Sequence, residues 1–183
     1  GALTARMKGG TGTASLEVGN GVTVAALMIA NPIGSPCTKG DRQFWAAPFE
    51  LDGEFGGLGT DPASGLVTPE ESLKYANLSR HANTTIGVVA TNAALTKAQA
   101  KRVATAAHDG ISRAVMPSHT PGDGDLIFAA STGDGPQADD ALLGAICNAA
   151  AHCVARSIAR AVYEARPMPG DTLPCWSDLN GGA

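Results

Sequence analysis

The chain has 183 residues, a hydrophobic content of 44% and a formal net charge of −4. This length fits one domain with a sizeable core. The longest run of basic residues is the pair Lys101 and Arg102. Such a short run gives no basic surface for binding a phosphate backbone. We therefore expect no nucleic-acid partner. The longest apolar run, 22–30, is too short to cross a bilayer, so we also expect no membrane segment.

The cysteines and the first residue of the chain bear on metal binding and on cellular location. None of the cysteines shows the C-x-x-C spacing of a structural zinc site, so we expect reduced, mostly buried thiols, no metal and no cofactor. The four are Cys37, Cys147, Cys153 and Cys175. The chain opens at Gly1 without an initiator Met, and we expect that an upstream part of the protein is missing. We see no signal peptide in the sequence as given, which favours a cytoplasmic location.

The first half of the chain predicts a hairpin followed by a long loop. Two strand-like runs, 13–18 and 22–30, are separated by a turn that contains Asn20 and Gly21, a strong hairpin signal. The segment 31–67 is dense in Gly and Pro and has no period, as in a loop. Thr68, Pro69 and Glu71 then predict a helix start, and this short helix ends at about Ser79.

The second half predicts two strands and two helices, which makes the chain an α/β protein. Residues 84–91 are β-branched and apolar, as in a buried strand. Thr96 and Gln99 form a capping box for a helix over 98–109, which we expect Gly110 to stop. A short apolar run at 126–131 predicts another strand. An Ala-rich helix over 139–165 follows, with acidic residues at its start and basic residues near its end.

Asn83 and Thr84 form a candidate self-cleavage site. A hydroxyl needs a base to become a nucleophile, and a residue at a new N-terminus carries that base in its own α-amino group. The pKa of such an amine is ~7.7–8.0, which suits neutral pH. Attack of Thr84 Oγ1 on the Asn83 carbonyl, followed by ester hydrolysis, would free this amine. The alternative is that Thr84 and Thr85 merely begin a strand.

Four motifs occur in an order that resembles the DmpA-type peptidase family. They are KGGTGTAS (8–15), ANPIG (30–34), HANTTIGVVATNAAL (81–95) and SHTPGDGDLIFAAST (118–132). That family includes β-peptidyl and D-amino-acid aminopeptidases and the nylon-oligomer (6-aminohexanoate-oligomer) hydrolases, and it shares its fold with ornithine acetyltransferase. The resemblance implies a four-layer αββα sandwich, incomplete here because the family's chains are longer. It implies that Thr84 is the nucleophile and that cleavage follows Asn83.

The resemblance also bears on the branch of the family. The aminopeptidase members carry Ser as nucleophile and a Ser-x-Glu pair, whereas the nylon-oligomer hydrolases carry Asn-Thr and an Asp-x-Asp pair. Asn83-Thr84 and Asp123-Gly-Asp125 are similar to the latter. In an extended segment Asp123 and Asp125 point to one side, where one carboxyl holds a proton and the other orients the new ammonium. The alternative is an ordinary Asp-Gly turn.

Two further residues complete the predicted site. Asn31 ends an apolar strand, and in the family an Asn at this place donates to the oxyanion. The alternative is an Asn that caps a turn. Lys8 precedes two glycines and is a candidate for polarising the scissile carbonyl during self-cleavage, the alternative being an exposed surface Lys. His81 and His119 are left out of the site, because the α-amine already serves as base.

The sequence thus predicts a self-processing amidohydrolase that cleaves linear amide oligomers of the nylon type. An aminopeptidase acting on small peptides or amino-acid amides, and an acyltransferase of the ornithine acetyltransferase type, remain alternatives, as does a silent binding domain. We expect one domain over 1–183. Residues 1–83 would end the α subunit, including the loop 31–67, and residues 84–183 would form the β subunit. The expected partners are a small amide substrate, the N-terminal remainder of the protein, and further αβ units in a homo-oligomer.

Overall fold

One mixed β-sheet with helices on one face forms the body of the chain in the computed structural model, which describes residues 1–64, 71–74 and 83–181. The sheet order is β1-β2-β3-β4. These strands are β1 (Gly10–Glu17), β2 (Thr23–Ala30), β3 (Ile86–Thr91) and β4 (Leu126–Ser131). The helices are α1 (Lys97–Ala114), α2 (Asp140–Tyr163) and the short α3 (Trp176–Asn180), and a 3-10 turn spans Ala47–Phe49.

The predicted hairpin is confirmed. Strands β1 and β2 pair antiparallel from Gly10↔Ala30 to Glu17↔Thr23. The turn between them needs left-handed backbone, and Asn20 supplies it with φ 53°. The hairpin brings the end of β2, and therefore Asn31, to the edge of the sheet where β3 begins, because Ile29 pairs with Ile86.

Strand β3, helix α1 and strand β4 form the predicted strand–helix–strand unit, with β3 and β4 parallel. The capping box of Thr96 and Gln99 at the start of α1 is present as expected. The predicted stop at Gly110 is wrong, since α1 continues to Ala114. A Cβ at Gly110 would lie 2.3 Å from the Ala151 carbonyl oxygen of α2. Gly110 therefore lets two helices pack closely and does not end one.

Helix α2 lies at the centre of the hydrophobic core. It begins after Asp139, whose side chain accepts a hydrogen bond from Leu142 N, and it packs against α1, β1 and β2. By length and composition α2 is apolar enough to cross a membrane, which the sequence expectation did not foresee. Its buried side chains include Ile146, Val154 and Ile158, which join the sheet residues in one hydrophobic cluster, as in the core helix of a folded domain.

The other face of the sheet is apolar and uncovered among the described residues. Ile29, Ile86 and Leu126 are cross-strand neighbours on it, as are Leu27 and Phe128 on either side of Val88. Phe128 is 63% exposed. The described chain therefore contains one sheet layer and one helix layer, and the four-layer sandwich is not confirmed by it.

The long predicted loop is confirmed over its described part, 31–64, where the 3-10 turn at Ala47–Phe49 is the one helical element. A largely buried ion pair ties this loop to α2, since Arg156 Nη2 lies 3.0 Å from Glu54 Oε2. The predicted helix from Thr68 to Ser79 falls mostly outside the described residues. Leu73 and Lys74, which are described, are helical. The cysteines are unpaired, and all but Cys147 are buried, as expected.

Candidate active site

The bond between Asn83 and Thr84 lies at the sheet edge where β3 begins. Thr84 Oγ1 donates a 2.6 Å hydrogen bond to the Asn83 carbonyl oxygen, and the backbone N–H of Gly124 donates to the same oxygen at 3.0 Å. Thr84 N–H donates to the Asn31 carbonyl oxygen at 3.1 Å. A hydroxyl thus lies against the carbonyl that precedes it, and that carbonyl is already polarised by a second donor.

The sheet topology explains why these motifs meet. Parallel strands β3 and β4 begin side by side, with Leu126 N–H donating to the Thr85 carbonyl oxygen at 3.0 Å. The residues just before the two strands, 83–85 and 123–125, are therefore neighbours. Strand β2 runs antiparallel to β3 and ends at the same edge, which adds Asn31. Three segments that are distant in sequence thus meet at the Asn83–Thr84 peptide bond.

Asp125 anchors the start of β3. Its Oδ1 accepts a 3.0 Å hydrogen bond from Thr85 N–H, and its Oδ2 lies 2.9 Å from His119 Nδ1. Its side chain is 4% exposed, so the carboxylate is shielded from water. A shielded carboxylate beside Thr84 and Thr85 is suited to accept a proton or to orient an ammonium.

Asp123 anchors the loop that follows Asn31. Its Oδ1 accepts from Ile33 N–H at 2.9 Å, and its Oδ2 accepts from Thr120 Oγ1 at 2.9 Å. The two carboxylates thus hold different neighbours, Asp123 on the Asn31 side and Asp125 on the β3 side. That one of them carries a proton stays a prediction.

His119 lies inside the site, although the sequence reasoning left it out. Its backbone is left-handed, with φ 54°, and its Nε2 lies 3.4 Å from the His108 carbonyl oxygen. The two imidazole centroids are 5.4 Å apart. Burial, followed by the charge of His119, lowers the pKa of His108. His119 therefore connects Asp125 to α1. His81 lies outside the described residues.

Lys74 lies at this site and was not predicted from the sequence. It is 6% exposed, and its ammonium donates to four oxygens, which are Leu3 O (2.8 Å), Pro32 O (3.0 Å), Asn31 Oδ1 (3.1 Å) and Asn31 O (3.2 Å). Burial lowers the pKa of Lys74 to about 8, and the nearby Asp123 opposes this shift. A Lys in a predicted surface helix gives no sequence signal of burial.

The side chain of Asn31 is held in one orientation. Its Oδ1 accepts from Lys74 Nζ at 3.1 Å and from Leu3 N–H at 3.0 Å. With Oδ1 held by these two donors, Nδ2 is directed away from Lys74. The assignment of that role to Asn31 stays a prediction.

Lys8 is the predicted residue that the described structure places apart from the others. Its ammonium donates to Asp171 Oδ2 at 2.7 Å and to the Arg166 carbonyl oxygen at 2.9 Å. Asn31, Thr84, Asp123 and Asp125 converge, whereas Lys8 pairs with the segment after α2. The part predicted for Lys8 in self-cleavage gains no support from these contacts.

Gly124 lies between the two carboxylates and directly against Thr84 Oγ1. A Cβ at this position would lie 2.8 Å from Thr84 Oγ1 and 3.7 Å from the Asn83 carbonyl oxygen. The absence of a side chain thus lets the Gly124 N–H approach the Asn83 carbonyl oxygen. Sequence reasoning treated Gly124 only as the spacer of the Asp pair.

Comparison with known proteins identifies the family. The Peptidase family S58 description matches residues 1–173, and the chain belongs to that family. Curated relatives include an uncharacterized aminopeptidase of Mycobacterium bovis, 38% identical over 97% of this chain and 54% of its own length. Another, from Mycobacterium leprae, is 36% identical over 100% of this chain and 51% of its own length. The chain spans about half the length of these relatives.

Solved structures agree with this assignment. The L-aminopeptidase D-Ala-esterase/amidase of Ochrobactrum anthropi, described as a variant of the Ntn hydrolase fold, is 26% identical with a TM-score of 0.60, covering 95% of this chain and 45% of that one. The PH0078 protein of Pyrococcus horikoshii is 26% identical with a TM-score of 0.61, covering 93% and 44%. The prediction of an N-terminal-nucleophile amide hydrolase or aminopeptidase is confirmed at the level of the family. A particular closeness to nylon-oligomer hydrolases is not shown by these relatives.

Proposed function

We propose that the full protein cuts itself between Asn83 and Thr84 and then hydrolyses small amides as an aminopeptidase, with Thr84 as nucleophile. The observation that carries this proposal is the 2.6 Å hydrogen bond from Thr84 Oγ1 to the Asn83 carbonyl oxygen, which Gly124 N–H also binds. A nucleophile and an oxyanion donor thus already flank the bond to be cut.

Self-cleavage proceeds by an N-to-O acyl shift. Thr84 Oγ1 bonds to the Asn83 carbonyl carbon while its proton passes to a site carboxylate, and Gly124 N–H stabilises the oxyanion. The carbon–nitrogen bond then breaks, and the Thr84 nitrogen receives the proton and leaves as an amine. Water hydrolyses the resulting ester, which yields the Asn83 carboxylate and restores the Thr84 hydroxyl.

In the mature enzyme the Thr84 amine takes the place of the carboxylate as base. It accepts the hydroxyl proton as Oγ1 attacks the substrate amide, and it returns that proton to the leaving amine. The Asn31 carbonyl oxygen, which binds the Thr84 N–H at 3.1 Å, remains an acceptor for the new amine. Asn31 Nδ2 donates to the oxyanion, and an acyl-enzyme is then hydrolysed by water.

The aminopeptidase relatives support the proposed substrate class. The test uses full-length protein with L-alanine p-nitroanilide and its N-acetyl derivative. We expect wild type to release p-nitroaniline from L-alanine p-nitroanilide, the substrate with a free amine, at least about a hundredfold faster than Thr84→Ala does. This difference reflects the loss of a nucleophile. Thr105→Ala, an exposed Thr on α1, is the matched control and should keep full activity. Equal rates in wild type and Thr84→Ala would refute this function.

Hydrolysis of linear amide oligomers is the second candidate, favoured by Asn83-Thr84 and by the Asp123-Gly-Asp125 pair. The two candidates differ in their need for a free substrate amine. An aminopeptidase loses turnover when that amine is acetylated, whereas an oligomer hydrolase still cleaves an acetylated 6-aminohexanoate oligomer at an internal amide. Product analysis by mass spectrometry separates them.

The uncovered sheet face supports the proposal of a second sheet supplied by the N-terminal remainder of the protein. Five large apolar side chains lie on this face, namely Leu27, Ile29, Ile86, Leu126 and Phe128. Such a contiguous apolar surface is unusual for a free-standing domain. Because the chain spans about half of its relatives, the remainder is long enough to cover this face. The αββα sandwich would be complete in that assembly, and its homo-oligomerisation stays a prediction.

A further inference from the structure

Lys74 and the Thr84 nitrogen share one acceptor. Lys74 Nζ donates to the Asn31 carbonyl oxygen at 3.2 Å, and Thr84 N–H donates to the same oxygen at 3.1 Å. Lys74 also donates to Asn31 Oδ1 at 3.1 Å. One ammonium thus touches both functional groups of Asn31, and one of these groups is the acceptor of the future amine.

We propose that Lys74 is a positioning residue of this site, which fixes the Asn31 amide for oxyanion binding and keeps the Thr84 amine in its neutral form. This inference rests on the function proposed above. It concerns a residue that lies nine positions before Asn83 and outside all four family motifs.

The first part of the proposal rests on orientation. An Asn amide can turn over and exchange its oxygen for its nitrogen unless its neighbours distinguish the two, and here Lys74 Nζ at 3.1 Å and Leu3 N–H at 3.0 Å both donate to Oδ1. The Lys74 ammonium can only donate hydrogen bonds, so it favours the amide orientation that places Oδ1 towards Lys74. This holds Nδ2 on the opposite side without any contact between Lys74 and the substrate.

The second part rests on charge. After cleavage, a protonated Thr84 amine would place a second cation on the carbonyl oxygen that Lys74 already occupies. Like charges at this separation disfavour the second proton and lower the pKa of the amine. The carboxylates of Asp123 and Asp125 act in the opposite sense, because a nearby negative charge favours the protonated amine. Lys74 therefore offsets the two carboxylates and keeps the base free of its proton near neutral pH.

The acceptors of Lys74 survive the cut. They lie on Leu3, Asn31 and Pro32, none of which belongs to the bond that breaks. Arg6 holds the same short segment through the Glu71 carbonyl oxygen at 3.1 Å while pairing with Asp41. Lys74 is thus placed to act in self-cleavage and in turnover alike.

The test compares Lys74→Met, Lys74→Arg and the control Lys101→Met in the full-length protein. Lys101 is exposed on α1 and matches the change in chemistry. We expect Lys74→Met to slow self-cleavage at least about tenfold, as for loss of an ordered oxyanion donor. Lys74→Arg, which keeps the charge, should recover most of that rate. In the cleaved fraction of Lys74→Met, the acid limb of the kcat/KM profile for L-alanine p-nitroanilide should move upward by about one pH unit.

The outcomes separate this inference from the proposed function. Wild-type cleavage and turnover, together with an unchanged rate and acid limb in Lys74→Met, would overturn the inference alone. If Lys74→Met is not cut at all, the cleavage rate of Lys74→Arg tests the inference. Recovery supports the proposal, and an equal loss in both variants, with wild-type circular dichroism, refutes it. An uncut and inactive wild type would instead remove the proposed function itself.

Discussion

Lys74 and Thr84 donate hydrogen bonds to one carbonyl oxygen, that of Asn31, at 3.2 and 3.1 Å. This acceptor joins a buried cation to the nitrogen that self-cleavage would release as an amine. The Asn83 carbonyl lies on the other side of that nitrogen, and both Gly124 N–H and Thr84 Oγ1 donate to its oxygen.

A methyl group at position 124 should block self-cleavage. In Gly124→Ala the new Cβ would lie 2.8 Å from Thr84 Oγ1, so the hydroxyl or the loop must shift away from the scissile carbonyl. We expect cleavage to slow by about a hundredfold, since the oxyanion donor is displaced with it. The rate is measured from the fraction cut over time on denaturing gels.

Gly144→Ala is the matched control for this substitution. Gly144 lies in α2 with nothing within 4 Å of its added Cβ. We expect unchanged cleavage and a gain of about 0.5–1 kcal/mol in the free energy of unfolding, the ordinary effect of replacing a helical Gly by Ala. Rapid cleavage of Gly124→Ala would show that the close approach of Gly124 to Thr84 is dispensable.

Thr84 and its neighbour Thr85 should respond oppositely to Val. Thr85 is fully buried, and its hydroxyl makes no hydrogen bond among the described residues. Thr85→Val removes an unpaired buried hydroxyl and should raise the free energy of unfolding by about 1 kcal/mol, with cleavage retained. Thr84→Val should leave the chain uncut. Chemical denaturation and mass spectrometry measure both effects, and loss of cleavage in Thr85→Val alone would reverse the assignment.

Lys74 should impose a pH dependence on stability. Its pKa in the folded protein is lowered to about 8 by burial, against an unfolded value near 10.5. Between these values the unfolded chain binds more protons, so this residue makes stability rise with pH from about 8 to about 10.5. We expect the contribution to be about 3 kcal/mol. It should be missing in Lys74→Met and present in Lys101→Met when urea unfolding is repeated across that range.

Substitutions on the apolar face of the sheet should change the free energy of unfolding only when another part of the protein covers that face. Phe128 is 63% exposed in the described chain, so Phe128→Ser should change the stability of the isolated chain by less than about 0.5 kcal/mol. In the full-length protein, where we propose a second sheet, the same substitution should cost about 3 kcal/mol. Met168→Ser, at a residue that is 65% exposed away from this sheet, should have little effect in either form. Equal small effects for both residues in the full protein would contradict the proposed covering sheet.

Local patterns were sufficient for most of the fold. The Asn20-Gly21 turn predicted the hairpin, and the Thr96 and Gln99 box predicted the start of α1. The prediction failed at Gly110 because a glycine signal is ambiguous. Its usual meaning is a helix end, but the closeness of Ala151 on α2 makes it a contact between helices. Such a contact depends on which elements pack together, which local sequence does not state.

The site was predictable where it lies on motifs and not where it depends on tertiary burial. Asn31, Thr84 and the two Asp residues stand at strand ends, so the strand order alone brings them together. Lys74 acquires its four acceptors only when its segment packs on the end of β2, and nothing in its neighbours indicates this. His119 was passed over because an α-amine makes a His base unnecessary, yet it lies against Asp125 as a supporting contact.

The most direct test of the central claim is mass spectrometry of the full-length protein, fresh and after incubation, beside Thr84→Ala. Self-cleavage predicts a wild-type polypeptide that begins at Thr84, a partner that ends at Asn83, and an intact Thr84→Ala chain. A folded wild-type protein that remains one uncut chain throughout incubation, or a cut at any other bond, would contradict the account.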